Sequence, residues 1–270
     1  MKNGFVIFLT AFGVLLTSWG AFVLGPQLQL GGAKQVAVLN STDVYPLNRP
    51  GEANQGLQIY RANGCAACHT EQVQQTGVAC EIVLASAGKK NPSAVSNLVA
   101  TLKLRGLTEQ EAEAASGKIT DAGGKVETII VATGPDIARG WGLRHSVAED
   151  FLYDYPMQLG SLRIGPDLAD VGRRLPDANW QLLHLYAPRS VVGGSAMPPF
   201  RYLFETKKIS AKPSPDALNL PAGFAPAAGY EVVPKPEAKK LVAYLLSLHA
   251  DVPLYDAPFT PPAPPAIAKP

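Results

Sequence analysis

The residues with the clearest chemical meaning in this 270-residue chain are two cysteines and a histidine. Cys65 and Cys68 are separated by two residues, and His69 follows the second cysteine directly, in the sequence CAACH. This spacing is the attachment motif of a c-type haem, in which the cysteines hold the porphyrin and the histidine ligates the iron. The motif therefore predicts one covalent haem c, with His69 as its first axial ligand.

The second axial ligand separates an electron carrier from a catalyst, because an iron with an open axial site can bind a small molecule. Met197 is the preferred candidate, since it lies in the loop GGSAMPPF, which two prolines stiffen. Met157, in YDYPMQLGS, is interpreted as core filler, and His184 as a packed histidine on a predicted helix. His145 and His249 are the remaining histidines. We therefore expect a six-coordinate, low-spin iron with one histidine and one methionine ligand, which carries electrons only.

The first 33 residues are predicted to form a membrane anchor. No charged residue occurs between Asn3 and Ala33, and the twenty residues from Phe5 to Leu24 are long enough, as a helix, to cross about 30 Å of hydrocarbon. Pro26 is expected to end this helix. The alternative is a cleaved signal peptide, whose apolar core usually spans about 7–15 residues. The longer core found here favours an uncleaved, single-pass anchor.

Two predicted helices flank the haem chemistry. GEANQGLQIYRANG, residues 51–64, runs directly into the haem motif, and PKPEAKKLVAYLLSLHAD, residues 234–251, places its apolar residues on one face. A helix that leads into CxxCH, together with an amphipathic helix near the carboxyl end, resembles the cytochrome c fold. In that fold the two helices cross beside the haem.

The cytochrome c resemblance also implies two contacts around the haem. In cytochromes c the second ring nitrogen of the ligand histidine meets the carbonyl of a proline in a Gly-Pro-x-Leu turn, and GPDL at 165–168 offers Pro166 for this role. Cytochromes c also often carry an arginine for a haem propionate, and Arg173 and Arg174 in VGRRL stand at a corresponding place.

Residues 78–133 are predicted to form a separate unit with the order strand, helix, helix, strand, in which Thr108 and Glu111 make a capping box. The predicted fold class is mainly α: an N-terminal transmembrane helix and a cytochrome c-like domain, interrupted by this small β-α-α-β insert. The predicted segments are the anchor (1–33), a tether and first part of the cytochrome c domain (34–77), the insert (78–133), the remainder of the cytochrome c domain (134–252) and a Pro-rich tail (253–270).

Composition excludes several classes of protein. The 24 basic and 22 acidic residues nearly cancel, so the sequence gives no indication of nucleic-acid binding. Of three cysteines, two belong to the haem motif, and Cys80 is interpreted as a small buried apolar residue rather than part of a disulfide framework. The single CxxCH motif also excludes a di-haem peroxidase.

The sequence resembles the membrane-anchored mono-haem cytochrome c subunit, subunit II, of cbb3-type cytochrome c oxidases. The resemblance rests on GCAACH at 64–69, on RHSVAEDFLYDYPMQLGSLRIGPDLADVG from residue 144, and on HLYAPRSV, SAMPPF and YEVVPKPEAKKLVAYLLSL. It extends over about three quarters of the chain. Two features differ from the family: the insert of about 60 residues, and Met157, which stands where the family commonly has an aromatic residue.

The resemblance implies an electron relay without bond chemistry in this chain. An electron from a further cytochrome c subunit or a soluble cytochrome c would pass through the haem to a catalytic membrane subunit that carries b-type haems and copper. Because c-type haem is attached outside the bacterial cytoplasmic membrane, the haem domain is expected in the periplasm. Two alternatives stay open: the cytochrome c subunit of a nitric oxide reductase, and a free membrane-anchored carrier whose insert recruits a partner.

Overall fold

The computed structural model of the chain describes residues 3–39 and 41–254. The predicted Pro-rich tail therefore lies outside the described residues from position 255 onward. The chain divides into two compact units, one formed by residues up to 48 together with 147–156, and the other by residues 49–146 together with those from 157 onward. The predicted fold class, mainly α with a few small strands, is confirmed.

The N-terminal helix of the first unit is longer than predicted. It consists of α1 (Gly4–Trp19), a π-helical turn (Gly20–Leu24) and α2 (Gly25–Leu30), of which Gly4–Gln29 is long and apolar enough to cross a membrane. The prediction that Pro26 ends the helix is wrong. Pro26 lies in the first turn of α2, and the preceding π-helical turn, in which the Gly25 N–H bonds to the Gly20 carbonyl, relieves the clash that its ring would make in a regular helix.

The rest of the first unit is small. β1 (Val36–Ala37) pairs antiparallel with β2 (Val44–Tyr45). The Tyr45 hydroxyl donates a 2.7 Å hydrogen bond to Asp150, which lies in the short 3₁₀ turn Ala148–Phe151.

The core of the second unit is built where α3 (Gly51–Ala62) crosses α9 (Pro236–Leu246). α3 buries residues spaced three and four apart, and α9 buries the apolar face expected from its sequence. At the crossing, a Cβ on Gly56 would clash with the Lys240 carbonyl and lie 2.7 Å from the Tyr244 Cβ, so the two helices approach this closely only because residue 56 is glycine.

Shorter elements connect these two helices. They are α6 (Pro135–Ala138), α7 (Val171–Arg174), α8 (Ala178–Tyr186) and the antiparallel hairpin of β5 (Phe204–Lys208) and β6 (Tyr230–Pro234). The Asp177 side chain accepts a hydrogen bond from the Asn179 N–H and so caps the start of α8.

The insert has the predicted order of elements. β3 (Gly77–Ser86) and β4 (Lys125–Thr133) pair antiparallel, α5 (Glu109–Asp121) packs on both strands, and α4 (Pro92–Thr101) packs against α5. The predicted capping box of Thr108 and Glu111 is present at the start of α5. The insert encloses its own small apolar core, against which Cys80 packs half-buried. Gly77 pairs with Thr133, so the insert leaves and rejoins the domain at one point.

Candidate haem site

The haem motif occupies a tight turn at the end of α3. Gly64 ends the helix in the left-handed conformation, at φ 67°, which glycine adopts without steric cost. A 3₁₀ turn follows at Cys65–Ala67, and the His69 N–H donates to the Cys65 carbonyl at 3.0 Å. Cys65 and Cys68 are both half-buried and share no disulfide. The turn therefore presents two free thiols and an imidazole from five consecutive residues.

The imidazole of His69 is held by the turn that the sequence singled out. Its Nδ1 lies 2.8 Å from the Pro166 carbonyl oxygen, and because a carbonyl only accepts, Nδ1 carries the proton and Nε2 keeps its lone pair. Burial lowers the pKa of His69, which favours the neutral form that can ligate a metal. A Cβ on Gly165 would clash with this ring, so the turn reaches the histidine only with glycine at that position.

One cavity brings most of the predicted site residues together. Its wall includes Cys65, His69, Pro166, Arg174 and Met197. The space between atoms there is about 560 Å³, including a part that is open to solvent, and cofactor pockets usually span about 300–1,000 Å³. The rest of the wall is largely apolar, with leucines at 168, 175, 185, 241 and 245.

The two candidate arginines differ in their surroundings. Arg174 lines the cavity and donates from Nη2 to the Asp167 carbonyl at 2.7 Å, while its buried Nε has no hydrogen-bond partner among the described residues. Arg173 is not part of the cavity wall; its Nη2 lies 2.5 Å from a carboxylate oxygen of the fully buried Asp170. A buried guanidinium N–H without a partner is costly, so Arg174 fits a site that receives an anionic group such as a haem propionate.

A buried polar frame, which the sequence analysis missed, holds the segment after His69. Asp167 is fully buried, and its carboxylate accepts hydrogen bonds from Thr70 Oγ1 at 2.5 Å and from the Gln72 N–H at 2.8 Å. Arg163 donates to the same Thr70 hydroxyl at 3.0 Å and to buried Asp136 at 2.8 Å. The only signal in the sequence was the presence of charged residues within an otherwise apolar block around GPDL.

A second buried acid was also missed. Glu71 is 2% exposed and accepts a 2.9 Å hydrogen bond from the Tyr244 hydroxyl, with the Arg49 guanidinium 5.3 Å from the centre of the Tyr244 ring. Burial raises the pKa of Glu71 to about 7. A glutamate two residues after a haem motif reads as an exposed residue in sequence, because its burial depends on α9, which lies far along the chain.

Met157 and His184, which the sequence analysis did not choose as the second axial ligand, occupy different environments. Met157 is 41% exposed, so its interpretation as core filler is wrong. Its position after Pro156 places it on the surface rather than in the apolar cluster between α3 and α9. His184 lies in the cavity wall with its ring stacked on Trp180, at 4.9 Å between centroids and 11° between planes. It is packed, as expected, yet it faces the same space as His69.

The crossing of α3 and α9, the CxxCH turn and the cavity beside it are typical of a mono-haem cytochrome c, and the N-terminal helix is long and apolar enough to cross a membrane. Residues 132–225 match the family described as "Cytochrome C oxidase, mono-heme subunit/FixO". Together with the apolar N-terminal helix, this match fits a membrane-anchored subunit II of a cbb3-type oxidase, and the resemblance stated from the sequence is confirmed. No curated protein matches the chain.

The family match begins at the end of the insert. It includes Pro166, Arg174 and Met197, whereas the haem motif at 64–69 precedes it. The match covers about a third of the chain, and the insert lies between the haem motif and the matched residues. The match points to a mono-haem electron-transfer subunit of an oxidase complex, whose catalytic subunit is a different membrane protein.

Proposed function

We propose that this chain is the electron-transfer subunit of a cbb3-type terminal oxidase. The observation that carries the proposal is that His69, with its Nδ1 hydrogen bonded to Pro166, and Met197 line one largely apolar cavity in a chain that matches the mono-haem oxidase subunit. When bound, the haem supplies a one-electron redox centre. The role of this chain is to hold that centre at a defined position and potential.

Each residue of the cavity has a part in this proposal. Cys65 and Cys68 would attach the haem covalently, and the His69 imidazole and the Met197 thioether would ligate its iron. The Pro166 carbonyl keeps the His69 proton on Nδ1, which leaves Nε2 for the iron. The Nε of Arg174, which has no partner among the described residues, would be available to a propionate, whereas Arg173 is engaged with Asp170 and is a poorer candidate. With both of these ligands bound, the iron would have no position open to oxygen, and the chain would transfer electrons only.

The surroundings of the complex follow from the same proposal. The N-terminal helix anchors the chain in the bacterial cytoplasmic membrane, and the haem domain faces the periplasm, where c-type haem is attached. A further cytochrome c subunit or a soluble cytochrome c donates the electron. The acceptor is a b-type haem of the catalytic subunit, which also carries copper.

The test is a reduced-minus-oxidised spectrum of the protein purified from its own membranes in mild detergent. We expect b-type haem bands beside the c-type band in a fixed ratio, and oxygen consumption by the preparation. Consumption of nitric oxide in place of oxygen would identify the complex as a nitric oxide reductase. A c-type band alone, without a large partner subunit, would leave a free membrane-anchored carrier.

The ligand assignment has its own test. We expect the ferric protein to show the far-red methionine–iron band and the Met197→Ala variant to lose it, together with a lower reduction potential, because methionine raises the potential relative to histidine. Met157→Leu is the matched control, and it should keep the band, since this residue lies outside the cavity wall. Loss of the band in the Met157 variant alone would refute the assignment.

A further inference from the structure

The cavity contains a nitrogen ligand in addition to His69. His184, on α8, lines the same wall as Met197, whereas His145 and His249 do not line this cavity. The His69 imidazole lines this wall as well, so the cavity contains two imidazoles and one thioether. A haem held by His69 therefore has two candidate groups in this wall for its other axial position.

The His184 ring is kept in a state that can bind a metal. Its Nδ1 is buried without a hydrogen-bond partner among the described residues, although the Pro188 backbone lies close enough to raise the pKa of the ring. Burial lowers the pKa of His184, so the ring is neutral and keeps a free lone pair. The stacked Trp180 fixes the plane of the ring.

Met197 lies outside regular secondary structure, and its side chain packs against the apolar cluster between α3 and α9. Its N–H donates to Ser195 Oγ at 3.2 Å, and the Ser195 N–H donates to the Val192 carbonyl at 2.9 Å. Arg189 Nε donates to the Ser195 carbonyl at 3.2 Å, so these hydrogen bonds stay within the 188–197 segment. A Cβ on Gly193 or Gly194 would meet open space, so the loop is exposed at these two glycines. His184, in contrast, is part of the regular helix α8.

We propose that His184 is a reserve axial ligand, which binds the iron in place of Met197 whenever the methionine sulfur is absent or displaced. The inference rests on the proposed function, since it requires a haem ligated by His69. The exchange replaces a thioether with an imidazole, and no electron is transferred. The resulting bis-histidine iron stays low-spin but has a lower reduction potential, which makes it a poorer electron acceptor. Loss of the methionine would then switch the relay off without opening the iron to small molecules.

The experiment compares ferric holoproteins by near-infrared absorption and electron paramagnetic resonance. The variants are Met197→Ala, the double variant Met197→Ala/His184→Leu, and the control Met197→Ala/His249→Leu, which removes a histidine outside the cavity. We expect Met197→Ala and the control to be low-spin with a bis-histidine spectrum. The variant without His184 is expected to be high-spin and to bind added imidazole at a concentration at least tenfold lower than Met197→Ala does.

A high-spin iron in Met197→Ala, with imidazole affinity equal to that of the double variant, would overturn the proposal. Met197→Ala/His184→Gln repeats the test with a polar side chain, and covalent haem per protein shows that each variant folds. The spectrum of the wild-type protein tests the assignment of Met197 as the ligand separately from the reserve role of His184. Absence of the methionine band in the wild type, with high-spin iron in His184→Leu alone, would make His184 the native ligand and refute both the ligand assignment and the reserve role.

Discussion

Arg174 and Arg173 are adjacent in sequence, yet they are expected to affect the protein in different ways. A positive charge beside a redox centre favours the reduced state, which is the less positive one. We therefore expect Arg174→Gln to lower the reduction potential, measured by spectroelectrochemical titration. Arg61→Gln, which removes an exposed charge on α3, is the control and should leave the potential unchanged.

Arg173→Gln provides the complementary result. It leaves the buried Asp170 carboxylate without its ion-pair partner, which costs stability rather than potential. Equal shifts of potential in the Arg173 and Arg174 variants would contradict the different roles given to these two side chains.

The buried carboxyl of Glu71 is expected to make the free energy of unfolding depend on pH. Burial raises its pKa from 4.5 to about 7, and Tyr244, Arg49, Tyr60 and Asp167 are the titratable or charged groups that influence it. Because the folded-state pKa is the higher one, stability from this group is fully present below about pH 4.5 and is lost as pH rises through about 7. The loss is expected to be at most roughly 3 kcal/mol.

Denaturant unfolding of the holoprotein between pH 4 and 8 measures this effect. Glu71→Gln, which carries no charge at any pH, should flatten the curve, whereas Glu52→Gln, an exposed change on α3, should leave it as in the wild type. An unchanged slope in the Glu71 variant would assign the pH dependence to other groups.

At the scale of elements, Arg163 joins the segment after His69 to the start of α6. Its guanidinium bonds to buried Asp136, to Thr70 and to the Gln72 carbonyl. Arg163→Met leaves two buried carboxylates, Asp136 and Asp167, without this cation. We expect a loss of roughly 3 kcal/mol in the free energy of unfolding, the low end for a broken buried pair, since Arg163 keeps 26% of its side chain exposed.

Arg139 offers a matched control for this prediction. Its guanidinium lies 3.9 Å from Asp136, and, like that of Arg163, it lies over the Trp141 ring. The Arg139 side chain, however, is 58% exposed. Arg139→Met is therefore expected to cost less than about 1 kcal/mol. Similar losses in the two variants would mean that the frame contributes no more than an ordinary surface ion pair.

At the scale of the whole molecule, the insert is expected to be separable from the haem site. Gly77 pairs with Thr133, and the Thr76 N–H bonds to the Thr133 carbonyl at 2.8 Å, so the two ends of the insert already meet. Replacing residues 78–132 with an Asn-Gly turn should close a short hairpin at this point. We expect the shortened protein to keep its covalent haem, its far-red band and its potential, measured on the purified protein.

The shortened protein also shows whether the insert supports the haem cavity or the assembly with partner subunits. Since the insert has its own apolar core, the cluster between α3 and α9 does not depend on it. A shortened protein without haem would show that the insert supports the cavity itself. Haem retention with loss of the partner subunits would assign the insert to assembly.

Local signals in the sequence were sufficient for much of this protein. The CxxCH spacing, the uncharged apolar span, the capping box at Thr108 and the period of α9 each depend on residues within one or two helical turns, where geometry follows from neighbouring residues. The order of elements in the insert was predictable for the same reason. Pro26 was the exception, because a π-helical turn relieved the clash that a regular helix would have made.

Tertiary structure decided the features that depend on distant contacts. His69 meets Pro166 across 97 residues, and Glu71 is buried against Tyr244 across 173 residues, which no local period encodes. The sequence offered both Arg173 and Arg174 for a haem propionate but could not say that only Arg174 lines the cavity. It could not show that Met157 is exposed while His184 faces the cavity. The burial of a side chain depends on how all the elements pack together, whereas a motif depends only on a short stretch of the chain.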